Sequence, residues 1–438
     1  MLNISKQILE LYNDNEVILL NPLKSTWLKM PIDLYNRVKS GDIKAQERME
    51  GYFCKYLMLE EAGDNNGKNG YDKNPFSVYI FLTRKCNLEC SFCSMKSSPL
   101  FNEESFSLEE WKSVIDQLKE YKVKRIILTG GEPTLFSEIE RLVDYIKSKM
   151  DCEIILSTNG VLFTSQLIEM ITSSISRVDI SWESIYGEYP QLQTRLRENV
   201  KRLIDRGAKV HLSYVMTKEN KKYVRCFLDD ALKYGVEIDL KIVSPIVNGK
   251  EYENILLEEK ELLKSYLDIL YYVNRMDLSD EQLSKLKSLI SQTPKPSLAC
   301  GGGTKGIVAI YPNGEVYPCH SVARETYLLG DLKKESLKES LERYNCDIPE
   351  IFRVDSQIYC QKCSIRYLCQ GQCAGEIMNL EDTNQKPVQC EFKKILINYY
   401  LWEYKSGKAV KDIFLDIEER VKSRLMELEE DNGKNCID

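Results

Sequence analysis

The stretch "TRKCNLECSFCSMK", residues 83–96, places three cysteines within eight positions: Cys86, Cys90 and Cys93. A structural metal site usually closes its coordination sphere with four protein ligands. Three thiolates can instead hold three irons of a cubane cluster and leave the fourth iron open. The spacing therefore favours an iron–sulfur site with one exchangeable position. A zinc knuckle that lacks a ligand and a set of buried thiols are the simpler alternatives.

This loop directly follows the strand of the first of six predicted β–α repeats. The strand-like runs begin with "SVYIFL" at 77–82 and end with "VEIDLKIV" at 236–243, and helical patterns alternate with them. Such alternation predicts a parallel sheet with right-handed crossovers. Six units fall short of a closed eight-fold barrel, so the predicted fold class is α/β with a partial (β/α)6 TIM-like barrel. Ligands are then expected at the carboxyl ends of the strands, where the cysteine loop lies.

Composition limits the classes of function. The 438 residues are too many for one average domain, and 60 basic residues are interspersed with 67 acidic ones. No basic stripe stands out, so we expect no nucleic acid partner. The sequence also lacks a signal peptide and a bilayer-length apolar run, so we expect a soluble cytoplasmic protein without membrane contact. In a reducing compartment, clustered members of its fifteen cysteines are more often metal ligands than disulfides.

Shifts in composition divide the chain into five predicted regions. Residues 1–61 resemble a small α+β, winged-helix-like domain, with paired strands in "EVILLNP" and "STWLKM" followed by two helices. Residues 62–75 are rich in glycine and asparagine, as linkers are. The barrel is predicted at 76–292, a cysteine-rich domain at 293–400, and a charged helical tail at 401–438.

The segment "KCNLECSFC", with Phe92 before its last cysteine, resembles the CxxxCxxC signature of the radical S-adenosylmethionine (SAM) enzymes. The resemblance implies that the open iron chelates the amino and carboxylate groups of SAM. An electron from the cluster then cleaves SAM to methionine and a 5′-deoxyadenosyl radical, which abstracts a hydrogen atom from the substrate. A flavodoxin- or ferredoxin-type electron donor is the implied redox partner.

Motifs after the next three strands fit the same resemblance. "TGGEPTL" (129–135) resembles the GGE motif that holds the SAM amino group, in which glycines permit close backbone approach and Glu132 accepts from the ammonium. "STNG" and "ISWES" follow the third and fourth strands, although family members commonly read "SIDG" at the latter place. The residues implied to bind SAM are Gly130, Gly131, Glu132, Ser157, Asn159, Ser181 and Arg195.

A second set of seven cysteines follows the barrel. By spacing alone it also fits a zinc ribbon, but joined to a radical SAM core it resembles a SPASM domain, which usually holds two auxiliary [4Fe–4S] clusters. The implied ligands are Cys360, Cys363, Cys369 and Cys390 for an outer cluster, and Cys300, Cys319 and Cys373 for an inner one. The chain would then carry three [4Fe–4S] clusters in all. The inner cluster has only three obvious ligands, and Cys346 is one spare thiol nearby.

SPASM-bearing enzymes resemble one another in acting on peptides and proteins. His320 stands where sulfatase maturases carry an aspartate base, so it is a candidate catalytic base, with a structural hydrogen bond as the equal alternative. The preferred interpretation is a maturase that crosslinks a ribosomally made precursor peptide, with residues 1–61 binding the leader segment as an added strand. A sulfatase-maturase-like oxidase, a non-enzymatic zinc or iron–sulfur electron carrier, and an N-terminal extension that merely packs on the barrel are the alternatives. The sequence does not reveal the bond formed.

Overall fold

A computed structural model describes residues 2–59, 75–101, 104–244, 254–292, 294–304, 306–343, 349–379 and 385–434, with side chains to residue 430. The predicted linker at 62–75, apart from its last residue, and the spare thiol Cys346 lie outside these ranges. Across the described residues, no helix is both long and apolar enough to cross a bilayer.

The N-terminal unit is a three-stranded antiparallel sheet followed by two helices. Its elements are β1 (Leu9–Tyr12), β2 (Glu16–Asn21), β3 (Thr26–Pro31), α1 (Ile32–Lys39) and α2 (Ile43–Lys55). The two strands and two helices predicted here are present, and β1 is an additional strand. Val17 and Leu19 of the central strand pack against α1 and α2, whereas Ile18 and Leu20 pack against the C-terminal part of the chain. The central strand is therefore buried on both faces.

All six predicted parallel strands are present, in the order of the sequence. They are β4 (Ser77–Phe81), β5 (Arg125–Thr129), β6 (Glu153–Thr158), β7 (Arg177–Ser181), β8 (Val210–Met216) and β9 (Glu237–Ile242). The helices between and after them are α3 (Leu108–Leu118), α4 (Ile139–Lys149), α5 (Ser165–Ser174), α6 (Gln193–Asp205), α7 (Val224–Tyr234) and α8 (Glu259–Arg275). Alternate strand residues such as Val78, Ile80 and Leu128 are buried beneath these helices. The opposite face carries polar residues such as Ser157 together with apolar ones such as Ile127 and Ile155.

Three further strands extend this sheet beyond residue 292, where the sequence predicts the barrel to end. They are β10 (Ile307–Ile310), β11 (Glu315–Tyr317) and β12 (Gly330–Asp331). The first of them pairs in parallel with β4, so the order across the described sheet is β12-β11-β10-β4-β5-β6-β7-β8-β9. With β12 and β9 at its two ends, this sheet is open. The cysteine-rich region is thus hydrogen-bonded directly to the strand that precedes the cysteine loop.

The remaining α-helices follow α8 in the chain, and three of them, α11, α12 and α13, contain or directly follow cysteines of the second set. They are α9 (Asp280–Lys285), α10 (Leu337–Arg343), α11 (Arg366–Cys369), α12 (Ala374–Ile377), α13 (Cys390–Trp402) and α14 (Val410–Lys434). The last of these occupies most of the region 401–438 in which the sequence predicts a helical tail. Its buried residues Phe414, Ile417 and Val421 belong to the same apolar core as the parallel strands.

Candidate active site

The three-cysteine loop begins two residues after the end of β4 in the chain, at the carboxyl edge of the sheet. Backbone hydrogen bonds shape it: the Cys86 N–H donates to the Ser98 carbonyl, and the Cys93 N–H donates to the Cys90 carbonyl. Cys86 is only 9% exposed, and the other two cysteines are partly buried. The loop is therefore held in a compact turn that keeps its sulfur atoms shielded.

The glycines of the GGE segment allow two backbones to touch. The Gly131 N–H donates to the Thr83 carbonyl (2.7 Å), and the Glu132 N–H donates to the Lys85 carbonyl (2.8 Å). A Cβ on Gly131 would lie 2.2 Å from the Lys85 oxygen, and one on Gly130 would lie 2.3 Å from the Thr83 oxygen. The sequence predicts that these glycines let the backbone approach a ligand closely. In the structure they let the backbone approach the cysteine loop. These glycines thereby fix the loop against β5.

Glu132 is completely buried, and its carboxylate accepts four hydrogen bonds from the chain. Oε1 accepts from the Thr134 N–H (3.1 Å), the Thr134 hydroxyl (2.6 Å) and the Thr158 hydroxyl (2.7 Å). Oε2 accepts from the Asn159 N–H (2.8 Å). Burial raises the pKa of this carboxyl, and the four donors oppose that rise. The side chain ties the end of β5 to the end of β6.

Asn159 extends this hydrogen-bond network to the cysteine loop. Its side-chain amide donates to the Asn87 side-chain oxygen (2.8 Å) and lies 3.7 Å from the Cys86 sulfur. Ser157, two residues earlier, lies on the polar face of the sheet, because its neighbour Leu156 is buried beneath the helices. Of the residues predicted to bind SAM, Gly130, Gly131, Glu132 and Asn159 therefore meet around the cysteine loop.

The segment after β7 supports the other side of the loop. The Ser184 hydroxyl lies 3.4 Å from the Cys90 sulfur, and the Glu89 N–H donates to the Tyr189 hydroxyl (2.8 Å). Glu188 accepts from the Ser91 N–H at 3.0 Å. Sequence reasoning did not find these contacts. The departure of "SWES" from the usual family pattern was the available signal, since it introduces the serine that meets Cys90.

Glu183 and Arg195, two charged residues near this segment, differ in their exposure to solvent. Glu183 is 4% exposed, and burial raises the pKa of its carboxyl to about 7. Ser181, at the end of β7, stands opposite Ser213 in the β7–β8 register. Arg195 is exposed in the first turn of α6. Its neighbour Arg197 forms an ion pair with Asp230 (2.7 Å), so that guanidinium is engaged within the protein.

The thiols of the loop suit an iron–sulfur cluster chemically. Burial raises the pKa of the Cys86 thiol to about 11 and also raises that of Cys90. A bound metal displaces such protons and stabilises the thiolates. No described cysteine is in a disulfide. The described residues also contain no group of three His, Cys, Asp or Glu side chains placed around a single ion.

The four cysteines implied for the outer cluster line one cavity. Cys360, Cys363, Cys369 and Cys390 face this cavity together with apolar and basic side chains. Cys360 and Cys390 are 8% and 9% exposed, and the other two are partly buried. A common cavity with four sulfur-bearing walls fits a cluster with a complete cysteine shell.

Two of the three cysteines implied for the inner cluster pack together. Cys300 and Cys319 lie against a common apolar group that includes Phe352. Gly302 permits the approach, since a Cβ there would lie 3.0 Å from the Cys319 Cβ. Burial, with smaller contributions from Glu376 and Cys319, raises the pKa of the Cys373 thiol to about 11.

His320 lies between the two cysteine sites. Its ring packs on Tyr79 with 4.5 Å between centroids, and its Nδ1 is 3.7 Å from the Cys319 sulfur. It lines a cavity of about 230 Å³ whose walls also include Arg84 and Met95 from the cysteine loop. Although part of the ring is open to this cavity, the surrounding protein and the charge of Lys241 lower the pKa of His320 to about 4.

Two family models match the chain in these regions. Residues 80–231 match the radical SAM superfamily, and residues 300–364 match the SPASM iron–sulfur cluster-binding domain. Residues 80–231 therefore form a radical SAM domain and residues 300–364 a SPASM domain, and the chain is an enzyme. The alternative of a non-enzymatic electron carrier is therefore set aside.

Curated relatives include enzymes named for peptide and for nucleotide substrates. Mycofactocin maturase MftC of Mycolicibacterium smegmatis is 25% identical over 309 residues, which are 68% of this chain and 78% of the relative. PqqA peptide cyclase of Granulibacter bethesdensis is 24% identical over 58% of this chain and 70% of its own length. GTP 3′,8-cyclase of Syntrophomonas wolfei is 27% identical over 64% of this chain and 90% of its own length.

Solved structures share the fold over most of the chain. SuiB of Streptococcus suis bound to S-adenosylmethionine aligns with a TM-score of 0.56 and 16% identity, covering 88% of this chain and 99% of that chain. SuiB bound to precursor peptide SuiA aligns with a TM-score of 0.56 and 18% identity, over 89% and 99%. The structure of anSMEcpe with bound AdoMet gives 0.58 and 17% identity, over 80% and 98%. At such identities the likeness establishes the fold alone.

Proposed function

We propose that this chain is a radical SAM maturase that acts on a ribosomally made precursor peptide and installs a crosslink, a thioether or a bond from carbon or oxygen to an unactivated carbon. The observation that carries the proposal is the convergence of the GGE and STNG segments on the three-cysteine loop at the carboxyl edge of the sheet. When bound to its cluster, SAM supplies the radical that abstracts a substrate hydrogen. A curved sheet forming a partial barrel would enclose that site.

In this proposal the chain's own residues hold the cluster and orient SAM. Cys86, Cys90 and Cys93 ligate the SAM-binding cluster, and the segment around Gly130 and Gly131 presents backbone groups to the SAM amino group. Because the Glu132 carboxylate is already taken up by four internal donors, its part is to hold that segment in place. Ser157, Asn159 and Ser181, with Arg195 as the more distant candidate, complete the proposed SAM contacts.

Two peptide-maturation relatives and a cavity beside the cysteine loop favour a peptide substrate. Mycofactocin maturase and PqqA peptide cyclase resemble this chain over 68% and 58% of its length. The cavity beside His320 lies between the cysteine loop and the inner cysteines, so it is the proposed place of the reacting peptide segment. His320, with its Nδ1 3.7 Å from the Cys319 sulfur, is proposed there either as the base that takes a proton from the substrate or as a structural hydrogen-bonding partner.

The substrate class is tested by mass spectrometry of anaerobic reactions. The reconstituted enzyme is incubated with SAM, a reductant and the small peptide encoded beside it in its genome. Loss of two hydrogens from that peptide, with a new crosslink located by fragmentation, is the expected result. A parallel reaction with a sulfatase peptide tests the sulfatase-maturase alternative. Formylglycine there, with an unchanged precursor peptide, would replace our proposal by that alternative.

The N-terminal unit is the proposed leader-binding element. Its sheet ends in the edge strands β1 and β3, to which an extended peptide can add as a further strand. Hydrogen exchange tests this without a deletion. Addition of leader peptide to the intact enzyme should slow exchange of backbone amides in one edge strand. Protection confined to the barrel would show that residues 1–59 do not bind the leader.

We further propose that two auxiliary clusters complete the three [4Fe–4S] clusters and that a flavodoxin- or ferredoxin-type protein supplies electrons in the cytoplasm. Iron and sulfide analysis tests the number of clusters, since three cubanes require about twelve irons per chain. A chain with about eight irons would retain only two clusters. Reduction of the enzyme by purified flavodoxin, followed by EPR, tests the donor.

A further inference from the structure

The N-terminal sheet is packed directly against the outer cysteine site. Ile18 and Leu20 of β2 are 0% exposed, and they lie in one apolar group with Ile365, Leu368 and other residues of α11 and α13. Those two short stretches of chain include or adjoin three of the four outer cysteines. Cys363 and Cys369 themselves pack against the same group, as does Trp27 of β3.

Further contacts make this interface continuous. Leu9 of β1 packs beside Cys360 in a neighbouring apolar group, and the Trp27 indole N–H donates to the Pro294 carbonyl at 3.1 Å. The N-terminal sheet therefore contacts the surroundings of the outer cysteines through all three of its strands. An apolar wall of this kind excludes water from a metal site and sets its dielectric environment.

We propose that the N-terminal unit is the apolar wall that shields the outer cluster from water, with Ile18 and Leu20 as positioning residues that control the cluster's exposure to water. This inference rests on the proposed outer cluster at Cys360, Cys363, Cys369 and Cys390. Water stabilises the more negatively charged, reduced cluster, so opening the wall raises the reduction potential and speeds loss of iron. By linkage, assembly of the cluster also stabilises docking of the N-terminal unit.

Adjacent residues of the same strand provide a matched pair of variants. Ile18→Ala with Leu20→Ala opens the face toward the outer cysteines. Val17→Ala with Leu19→Ala opens cavities of similar size on the opposite face, toward α1 and α2. Both pairs of substitutions lower the stability of the N-terminal unit, but only the first pair removes side chains that face the outer cysteines. Comparison of the two pairs therefore separates the proposed role from a general loss of stability.

The experiment follows iron release from the reconstituted full chain to a colorimetric chelator under anaerobic conditions. The kinetic phase that disappears in Cys363→Ala is assigned to the outer cluster. We expect that phase to be about tenfold faster in the Ile18/Leu20 pair, with a more positive reduction potential by EPR titration, and within twofold of wild type in the Val17/Leu19 pair. Equal rates in both pairs, whether fast or slow, would overturn the proposal.

Hydrogen exchange supplies the reciprocal measurement. In Cys363→Ala, amides of residues 16–21 and 26–31 should exchange faster than in wild type, while those of residues 125–129 in the barrel are unchanged. Unchanged protection of β2 and β3 would contradict the linkage. Should Cys363→Ala keep all of its iron and every release phase, the outer cluster itself would be wrong and the inference would fall with it. SAM cleavage at the barrel would remain a separate question.

Discussion

Replacement of Glu132 by glutamine tests the network that holds the cysteine loop. Glutamine keeps the shape of the side chain, and its single carbonyl oxygen can retain the three hydrogen bonds to Thr134 and Thr158. Its amide nitrogen then faces the Asn159 N–H, which Oε2 accepts at 2.8 Å in the wild type. A hydrogen bond to a charged acceptor is lost, and a donor is left unpaired.

The expected loss is about 2 kcal/mol, from the range for hydrogen bonds to charged groups and for unpaired donors. Asn159 is the residue that contacts Asn87 and the Cys86 sulfur, so the loss falls on the loop that must be ordered to bind SAM. A penalty of that size corresponds to about 30-fold weaker SAM binding. Equilibrium dialysis with radiolabelled SAM on the anaerobically reconstituted enzyme measures it.

Glu138→Gln is the matched control, because Glu138 is partly exposed in an ion pair with Arg141 and such pairs contribute little. Its SAM affinity should equal that of the wild type. If Glu132→Gln also bound SAM within threefold of wild type and unfolded at the same temperature, the reasoning would be refuted. The buried carboxyl would then be protonated in the native protein, as its raised pKa permits.

Three further variants test the site. Burial raises the pKa of Glu183 to about 7, above the ordinary range of a glutamate, so ionisation of this carboxyl destabilises the fold as pH rises from 5 to 8. Glu183→Gln should therefore gain up to about 3 kcal/mol over wild type in that window by calorimetry, and a pH-independent difference would contradict this. Gly131→Ala should prevent loading of the SAM cluster, seen as lost EPR signal, since its Cβ meets backbone, whereas Gly187→Ala, with nothing within 4 Å, should load normally. Ser184→Ala removes the hydroxyl 3.4 Å from Cys90 and should speed iron release about threefold; an unchanged rate would show that this contact has no role.

Local patterns in the sequence predict much of this fold. Alternation of apolar strands with amphipathic helices is a short-range signal, and each of the six predicted strands is present. The pairing of β10 with β4 is different, since it joins residues more than 200 positions apart. Nothing in the four-residue run "IVAI" specifies which edge it will join. The extension of the sheet into the cysteine-rich region therefore required the structure.

The candidate site was likewise predicted only in part from the sequence. Cysteine spacing singles out the first three thiols, because CxxxCxxC is a short motif with few chance matches. The second set extends from Cys300 to Cys390 and by spacing alone also fits a zinc ribbon. Supporting contacts depend on side chains that meet from separate strands, as Glu132 meets Asn159 and Ser184 meets Cys90. The sequence predicted β2 as one of two paired strands, but not what covers its second face, because that face packs on residues about 350 positions further along the chain.

The central claim is that the three-cysteine loop binds the cluster that cleaves SAM, and one variant tests it most directly. Cys86→Ala, Cys90→Ala and Cys93→Ala are combined in the reconstituted enzyme, and 5′-deoxyadenosine is measured by chromatography after reduction in the presence of SAM. The account predicts no 5′-deoxyadenosine, while about eight irons per chain remain at the other cysteines. Production of 5′-deoxyadenosine at the wild-type rate by this triple variant would contradict the account.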